Sequence, residues 1–386
     1  MAIVVSCQLA MAIYLPSFAA MRARFAVDAI TLQSVLSVYL AVFAVTQFLV
    51  GPLADRHGRR RIVLGALMLF GLASLACALA PSFPMLLLGR AGQAIGACAG
   101  FVLARTIVRD SHAGPAALRA MSWIAAAGAL APAVSPLIGG QLQLHLDWWA
   151  SFAFTGASAL VLAVVAWRLL PETGQPGARG GSWRGMFRGY RAALGQRRFV
   201  GYLLNASCAT MAMYIFLSAA PELLLERRQV PVELFGWFTF SWAGMFVVAS
   251  LISGRIGPRL GGERMVLFGI LLLTAGGSAM AVGGLAGATS LAAIVLPLML
   301  MGVGNGFTMP SSLAGAMGAV PAAIGGAASA AIGIAQVGSG AAVAWIAGQV
   351  RYPDQTPLGL GIVMVGLASL LVFALLSRAP TAPKKL

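Results

Sequence analysis

Long apolar runs alternate with short polar breaks along the whole chain, and the runs have one length class. Each extends over about 17 to 25 residues, which is what an α-helix needs to cross the hydrocarbon of a bilayer. The runs are Ala2 to Phe18, Leu32 to Leu53, Ile62 to Ala80, Met85 to Val108, Met121 to Leu142 and Trp148 to Leu170, then Phe199 to Leu225, Leu234 to Ile256, Met265 to Leu285, Leu291 to Leu313, Ile324 to Ala347 and Leu358 to Leu376. An all-α membrane protein with twelve transmembrane helices is the expectation. The rhythm fails once. Pro171 to Arg198 is rich in Gly and Arg, with Trp183, Phe187 and Tyr190 set among basic residues. It divides the chain into 1–170, a linker 171–198 and 199–386. The linker reads either as a helix lying on anionic headgroups or as a flexible connector.

Composition agrees with the pattern. Of 386 residues 60% are hydrophobic and 9% charged, with mean hydropathy +0.89, whereas a soluble chain carries about a quarter charged residues. The net charge of +16 would suggest nucleic acid in a soluble protein. Here its placement decides. Arg56, Arg59, Arg60 and Arg61, then Arg109 and Arg119, the linker arginines, Arg255, Arg259 and Arg264, and the terminal Arg378, Lys384 and Lys385 share one side, while only Arg22, Arg24, Arg227, Arg228 and Arg351 face the other. By the excess of basic residues on the cytoplasmic side, both termini lie in the cytoplasm. The first twenty residues read as span one rather than a signal peptide, since no basic segment precedes them and Pro16 interrupts them.

Cys7, Cys77, Cys98 and Cys208 lie inside apolar runs without close spacing, so neither disulfide nor metal site is expected. His57, His112 and His145 are scattered over loops and span ends. That argues against an enzyme and no bound cofactor is expected; a monomer in membrane lipid, with a small-molecule substrate and protons as partners and no nucleic acid, is the expectation.

The polar break Gly51-Pro52-Leu53-Ala54-Asp55-Arg56-His57-Gly58-Arg59-Arg60-Arg61 predicts a tight hairpin whose glycines let helix ends approach. Gly254 to Arg264 repeats its Gly, aliphatic, Arg and Gly positions, with Pro258 in place of Asp55. A hinge repeated between the second and third runs of each half is the form of an alternating-access transporter with two pseudo-symmetric six-helix bundles.

Arg90 is the sharpest interior feature. An arginine inside a span costs about 2.5 to 3.5 kcal/mol, so it must face protein or water; a cavity-facing position is expected. Gln93, Ala97 and Phe101 share its helical seam, while Gly92, Gly96 and Gly100 repeat every fourth residue as a packing face. In span five Gly128, Pro132, Ser135 and Gly139 share a face, with Pro136 and Gly140 adjacent, and the prolines should bend the helix.

These stretches resemble the major facilitator superfamily. The hinge is similar to its loop signature G-x-L-a-D-r-x-G-r-r, Arg90 to Ala97 to its span-four signature R-x-x-Q-x-x-G-a, and Ser135 to Gly140 to its span-five antiporter signature G-P-x-x-G-G. Met11 to Pro16, Leu36 to Tyr39, Arg109-Asp110, Pro171-Glu172-Thr173, Ala328 to Ala330 and Gln336 extend the resemblance to the bicyclomycin-resistance and phenicol-exporter branch of drug:proton antiporters. The resemblance implies proton-coupled efflux by alternating access, energised by the proton gradient, with Arg90 in coupling or substrate binding and a gate built of Gly51, Asp55, Gly58, Arg59 and Arg109. The antiporter signature falls on Pro132, Ser135, Pro136, Gly139 and Gly140.

One departure matters. The family has a membrane-embedded aspartate where this chain has Ala12, and all ten acids sit at or near span ends. Three readings stand: an engineered substitution, a variant whose proton travels on Glu222 or Asp147, or a transporter without tight coupling. The substrate site is expected among Arg90, Gln93, Ala12, Tyr14, Tyr39, Asn205, Tyr214, Phe240, Asn305 and Gln336, with Met211, Phe216, Trp237 and Trp242 as further candidates. A mostly apolar pocket with one buried cation suits neutral or weakly anionic small amphipathic drugs. The alternative is an uncoupled facilitator or an importer of a small metabolite.

Overall fold

The computed structural model describes residues 1–111, 131, 134–171, 183–288, 290–321 and 324–377, with the side chains of 55, 109–111, 183–186 and 258 undescribed, and holds no strand among them. The helices are α1 (Ala2–Leu9), α2 (Phe18–Phe25), α3 (Ala29–His57), α4 (Arg59–Ala78), α5 (Phe83–Ser111), α6 (134–145), α7 (Trp149–Leu169), α8 (Trp183–Leu194), α9 (Arg197–Ala220), α10 (Val232–Leu260), α11 (Gly262–Leu285), α12 (Ala292–Gly318), α13 (Gly325–Gly348) and α14 (Thr356–Val372). Ten helices among the described residues are long and apolar enough to cross a membrane. The other two expected spans have separate explanations. Span one is broken into α1, a short 3-10 turn at Leu15–Ser17 and α2, while most of span five, including Gly128 and Pro132, lies outside the described residues.

The hinge differs from its expected form. Helix α3 continues past Gly51 and Pro52 to His57, so the turn is Gly58 alone. A Cβ at Gly51 would meet nothing within 4 Å, so the expected close approach there does not occur. At Gly58 the backbone requires glycine: φ is 90°, a left-handed value that a side chain resists. Gly261 holds the same place between α10 and α11 with φ 88°. Helices α3 and α10 are both 29 residues long, or about 43 Å at 1.5 Å per residue, which exceeds the ~30 Å hydrocarbon layer. Their basic ends therefore stand in water. The repeat read in the sequence is thus present as matched helix lengths and matched turns.

Within the first half α4 packs on α5 and α7, α3 on α5, and α1 on α5 and α7; within the second, α12 packs on α9, α10 and α11, and α14 on α9 and α11. Small residues set the spacing: a Cβ at Gly96 of α5 would lie 2.5 Å from the Ala66 carbonyl of α4. Helix α3 lies along α13, joining the halves. At the end opposite the Gly58 turn, the Arg22 guanidinium after span one meets the Glu226 carboxylate at 2.5 Å. Tyr214 of α9 donates its hydroxyl hydrogen to Met11 Sδ across 3.0 Å, a second link between the halves.

Candidate functional site

Span one opens because Pro16 has no N–H and its ring excludes the carbonyl four residues back, so regular helix cannot pass through it. The 3-10 bonds Leu15 N–H to Ala12 O and Ser17 N–H to Tyr14 O replace the regular ladder. Two carbonyls are thereby left to outside donors. Ala10 O accepts from Arg90 Nη1 at 3.0 Å, and Ile13 O accepts from the Ser151 hydroxyl at 3.3 Å. Gly139 of α6 comes close to the same opening: a Cβ there would stand 1.7 Å from Ile13 O, which admits glycine only. The span-five glycine thus has a steric role beside span one. Gly140 faces the other way, where a Cβ would lie 3.2 Å from Val232 O at the start of α10.

Arg90 has no exposed surface. Its Nε donates to Val35 O at 3.4 Å and its Nη1 to Gln93 Oε1 at 2.5 Å, besides the Ala10 bond. The guanidinium carbon lies 4.2 Å from the Tyr39 ring centroid, 4.7 Å from Tyr14 and 5.9 Å from Phe152. Three carbonyl-type acceptors and three aromatic faces together replace hydration, a set in which each cation–π contact contributes about 0.5 to 2 kcal/mol. No carboxylate meets it among the described residues, and Nη2 has no hydrogen-bond partner. Ala12 is packed and 1% exposed. The network continues through Gln93 Nε2, which donates to the Ser74 hydroxyl at 2.7 Å and the Thr155 hydroxyl at 3.5 Å. Charge and amides thus knit spans one, two, three, four and six.

This corrects one expectation. Arg90 does not line an open cavity in this conformation; the opened carbonyls of span one and the rings of Tyr14, Tyr39 and Phe152 enclose it instead. Tyr39 is fixed by donating to Cys7 O at 3.4 Å, and Tyr14 stacks on Phe152 at 5.9 Å. Span one's freed carbonyls, together with Phe152, Ser74 and Thr155, were the contributors missed in sequence. Pro16 was the visible signal for the first of them.

The second-half candidates separate. Tyr214 and Gln336 face their neighbours across the middle of the fold, Tyr214 through Met11 and Gln336 through a 3.2 Å bond to the Thr210 hydroxyl. Asn305 of α12 donates to Ala209 O of α9 at 3.1 Å, and its Oδ1 is buried without a hydrogen-bond partner. Asn205 points away from this group: its amide donates to Ser377 Oγ at 2.9 Å and accepts from Ser369 Oγ at 2.7 Å, fastening α9 to the last span. Phe240 lies on the exposed face of α10, edge-on to Trp237 at 5.7 Å, while Trp242 stacks on Phe246 at 5.9 Å. Met211 is half-buried and Phe216 fully packed.

Of the gate residues Arg59 opens α4, and of the antiporter-signature residues Ser135 and Pro136 are buried in α6. The side chains of Asp55 and Arg109, and all of Pro132, fall outside the described residues. Among the described residues no group of three or more His, Cys, Asp or Glu could hold a metal.

Two halves with matching turns, apolar spans throughout and a buried cation on an opened first helix define a multi-pass membrane transporter. The chain belongs to the Major Facilitator Superfamily, whose family model matches residues 1–345. It is 31% identical over 297 residues to a chloramphenicol resistance protein of Pseudomonas aeruginosa, covering 77% of this chain and 70% of that one. It is 27% identical over 377 residues to multidrug resistance protein D of Escherichia coli, covering 93% and 90%. Among solved structures, a D-xylose-proton symporter superposes with TM-score 0.78 at 15% identity, covering 99% of this chain and 98% of that one. At that identity the likeness is one of fold.

Proposed function

We propose that the chain exports small amphipathic, neutral or weakly anionic drugs, phenicols included, across the inner membrane of a bacterium. Bundles 1–170 and 199–386, joined by 171–198, alternate access as a monomer with both termini in the cytoplasm and the proton gradient as energy source. The relatives' names favour drug export over sugar or nucleoside uptake. The single observation that carries the charge preference is Arg90, a fully buried cation that no carboxylate meets among the described residues. Its field opposes a second cation nearby and favours electron-rich groups. With both termini in the cytoplasm, the Arg22–Glu226 pair would link the two halves on the outer side.

Coupling is the weak link of this transporter. Position 12 holds alanine where a proton carrier is expected, and among the described residues Glu222 is the only buried acid. Tight antiport is therefore reduced to slow exchange through Glu222 or lost, and the uncoupled facilitator is the second reading that this observation favours. Chloramphenicol accumulation in a susceptible bacterium tests export. Lower internal drug in cells expressing the chain, reversed in Arg90→Ala, is expected; accumulation equal to that of empty cells, or higher, refutes export.

A further inference from the structure

Helix α8, Trp183–Leu194, lies in the linker, is 12 residues long, and carries Arg184, Arg188 and Arg191 without an acid. Its buried side is Gly189, Tyr190 and Ala193. Tyr190 meets Phe48 of α3 edge-on with ring centroids 5.8 Å apart, and a Cβ at Gly189 would lie 2.8 Å from Ala327 Cβ of α13. The helix therefore docks on both halves at once.

What it leaves outside is ordered. Phe187 and Leu194, seven residues apart and so on one stripe, are 59% and 52% exposed. Arg188 and Arg191 are exposed on the neighbouring stripe, to which Arg184 belongs by spacing. Neighbouring arginines beyond the helix are used internally: Arg198 pairs with Glu263 at 2.5 Å and Arg197 donates to Leu375 O. Arg188 and Arg191 make no ion pair among the described residues. An apolar stripe set between a docked face and a basic face suits a surface that is apolar below and anionic above.

We infer that α8 is a lipid-docking element: Arg188 and Arg191 hold phosphates of anionic phospholipid in the leaflet next to the linker, while Phe187 and Leu194 enter the acyl boundary. Because Tyr190 and Gly189 tie the helix to α3 and α13, lipid charge would bear on both halves together. The test uses the full chain in nanodiscs of mixed phosphatidylglycerol and phosphatidylcholine, with lipids retained after extraction counted by native mass spectrometry. The wild type should prefer phosphatidylglycerol, and R188Q/R191Q should weaken that retention on the order of thirtyfold, from about 1 kcal/mol per arginine near an anionic surface. R188K/R191K, which keeps the charge, should retain the preference and shows that the loss is not misfolding. Equal retention of both lipids by the wild type, or an unchanged preference in R188Q/R191Q, overturns the inference.

Discussion

Arg90 in the first half and Glu222 in the second are the two buried charged side chains among the described residues, at 0% and 6% exposure, and they are held in opposite ways. Arg90 sits among neutral carbonyls, an amide and three rings, remote from water. Glu222 sits where α9 widens into the turn Pro221–Arg227, accepting the Tyr352 N–H at 3.4 Å, with Arg227 Nη2 3.8 Å away and half exposed. A guanidinium keeps its proton at any working pH, so the first half carries a fixed charge. Glu222 is the only buried acid among the described residues, and the proposed proton exchange would rest on it. On the proposed function, the difference would set binding at Arg90 apart from proton exchange at Glu222, two roles that a carboxylate at position 12 would unite.

The largest predicted effect breaks the first member of the pair. Arg90→Ala should abolish drug flux in proteoliposomes and lower the melting temperature, since Ala10 O, Val35 O and Gln93 Oε1 lose their donor, at about 1–3 kcal/mol for buried groups left unsatisfied. Arg90→Lys should recover little flux, because a point charge cannot reproduce the guanidinium fork or its ring contacts. Next, Glu222→Gln keeps an acceptor for Tyr352 but removes the charge. Residual pH-gradient-driven flux should fall severalfold while counterflow exchange of drug persists; unaltered gradient-driven flux would place the proton elsewhere.

A smaller change is expected at the Arg22–Glu226 pair, the proposed outer link between the halves. Arg22 and Glu226 are 35% and 23% exposed, and such partly solvated pairs contribute about 0–1 kcal/mol. Arg22→Ala should therefore shift the balance of conformations modestly, read as greater labelling of an introduced outer cysteine, with little loss of stability. The smallest effect concerns Asp28, which caps α3. The Thr31 hydroxyl and then its N–H, at 2.8 Å, hold its carboxyl below the ordinary value of 3.8. A lowered folded value means the contribution is present above that ordinary value and lost as pH falls through the folded one. Asp28→Ala should lower the melting temperature slightly at neutral pH and not at all in strong acid.

How far the sequence could be read follows from which interactions are local. The Gly58 and Gly261 turns were legible because a left-handed turn needs glycine and the two stretches match in spacing. Arg90 stood out because a charge in an apolar run demands compensation, and Gln93 lies one turn along the same helix. The enclosure of Arg90 was not legible: Phe152, Ser74 and Thr155 come from other helices, and no spacing within one helix announces them. Asn205 illustrates the same limit, since helical period places it on a face without saying whether that face meets the central seam or α14. The Gly51 approach failed for a local reason, because proline at 52 is tolerated as α3 runs on past it.

Substitution Ala12→Asp gives the most direct measurement. Purified wild type and A12D are reconstituted side by side, and chloramphenicol flux is followed after an imposed pH gradient. Weak gradient-driven flux in the wild type, raised at least several-fold in A12D by a carboxylate returned to the first half, is the predicted result. Strong gradient-driven flux in the wild type that A12D leaves unchanged would contradict the separation of the fixed cation from the proton carrier.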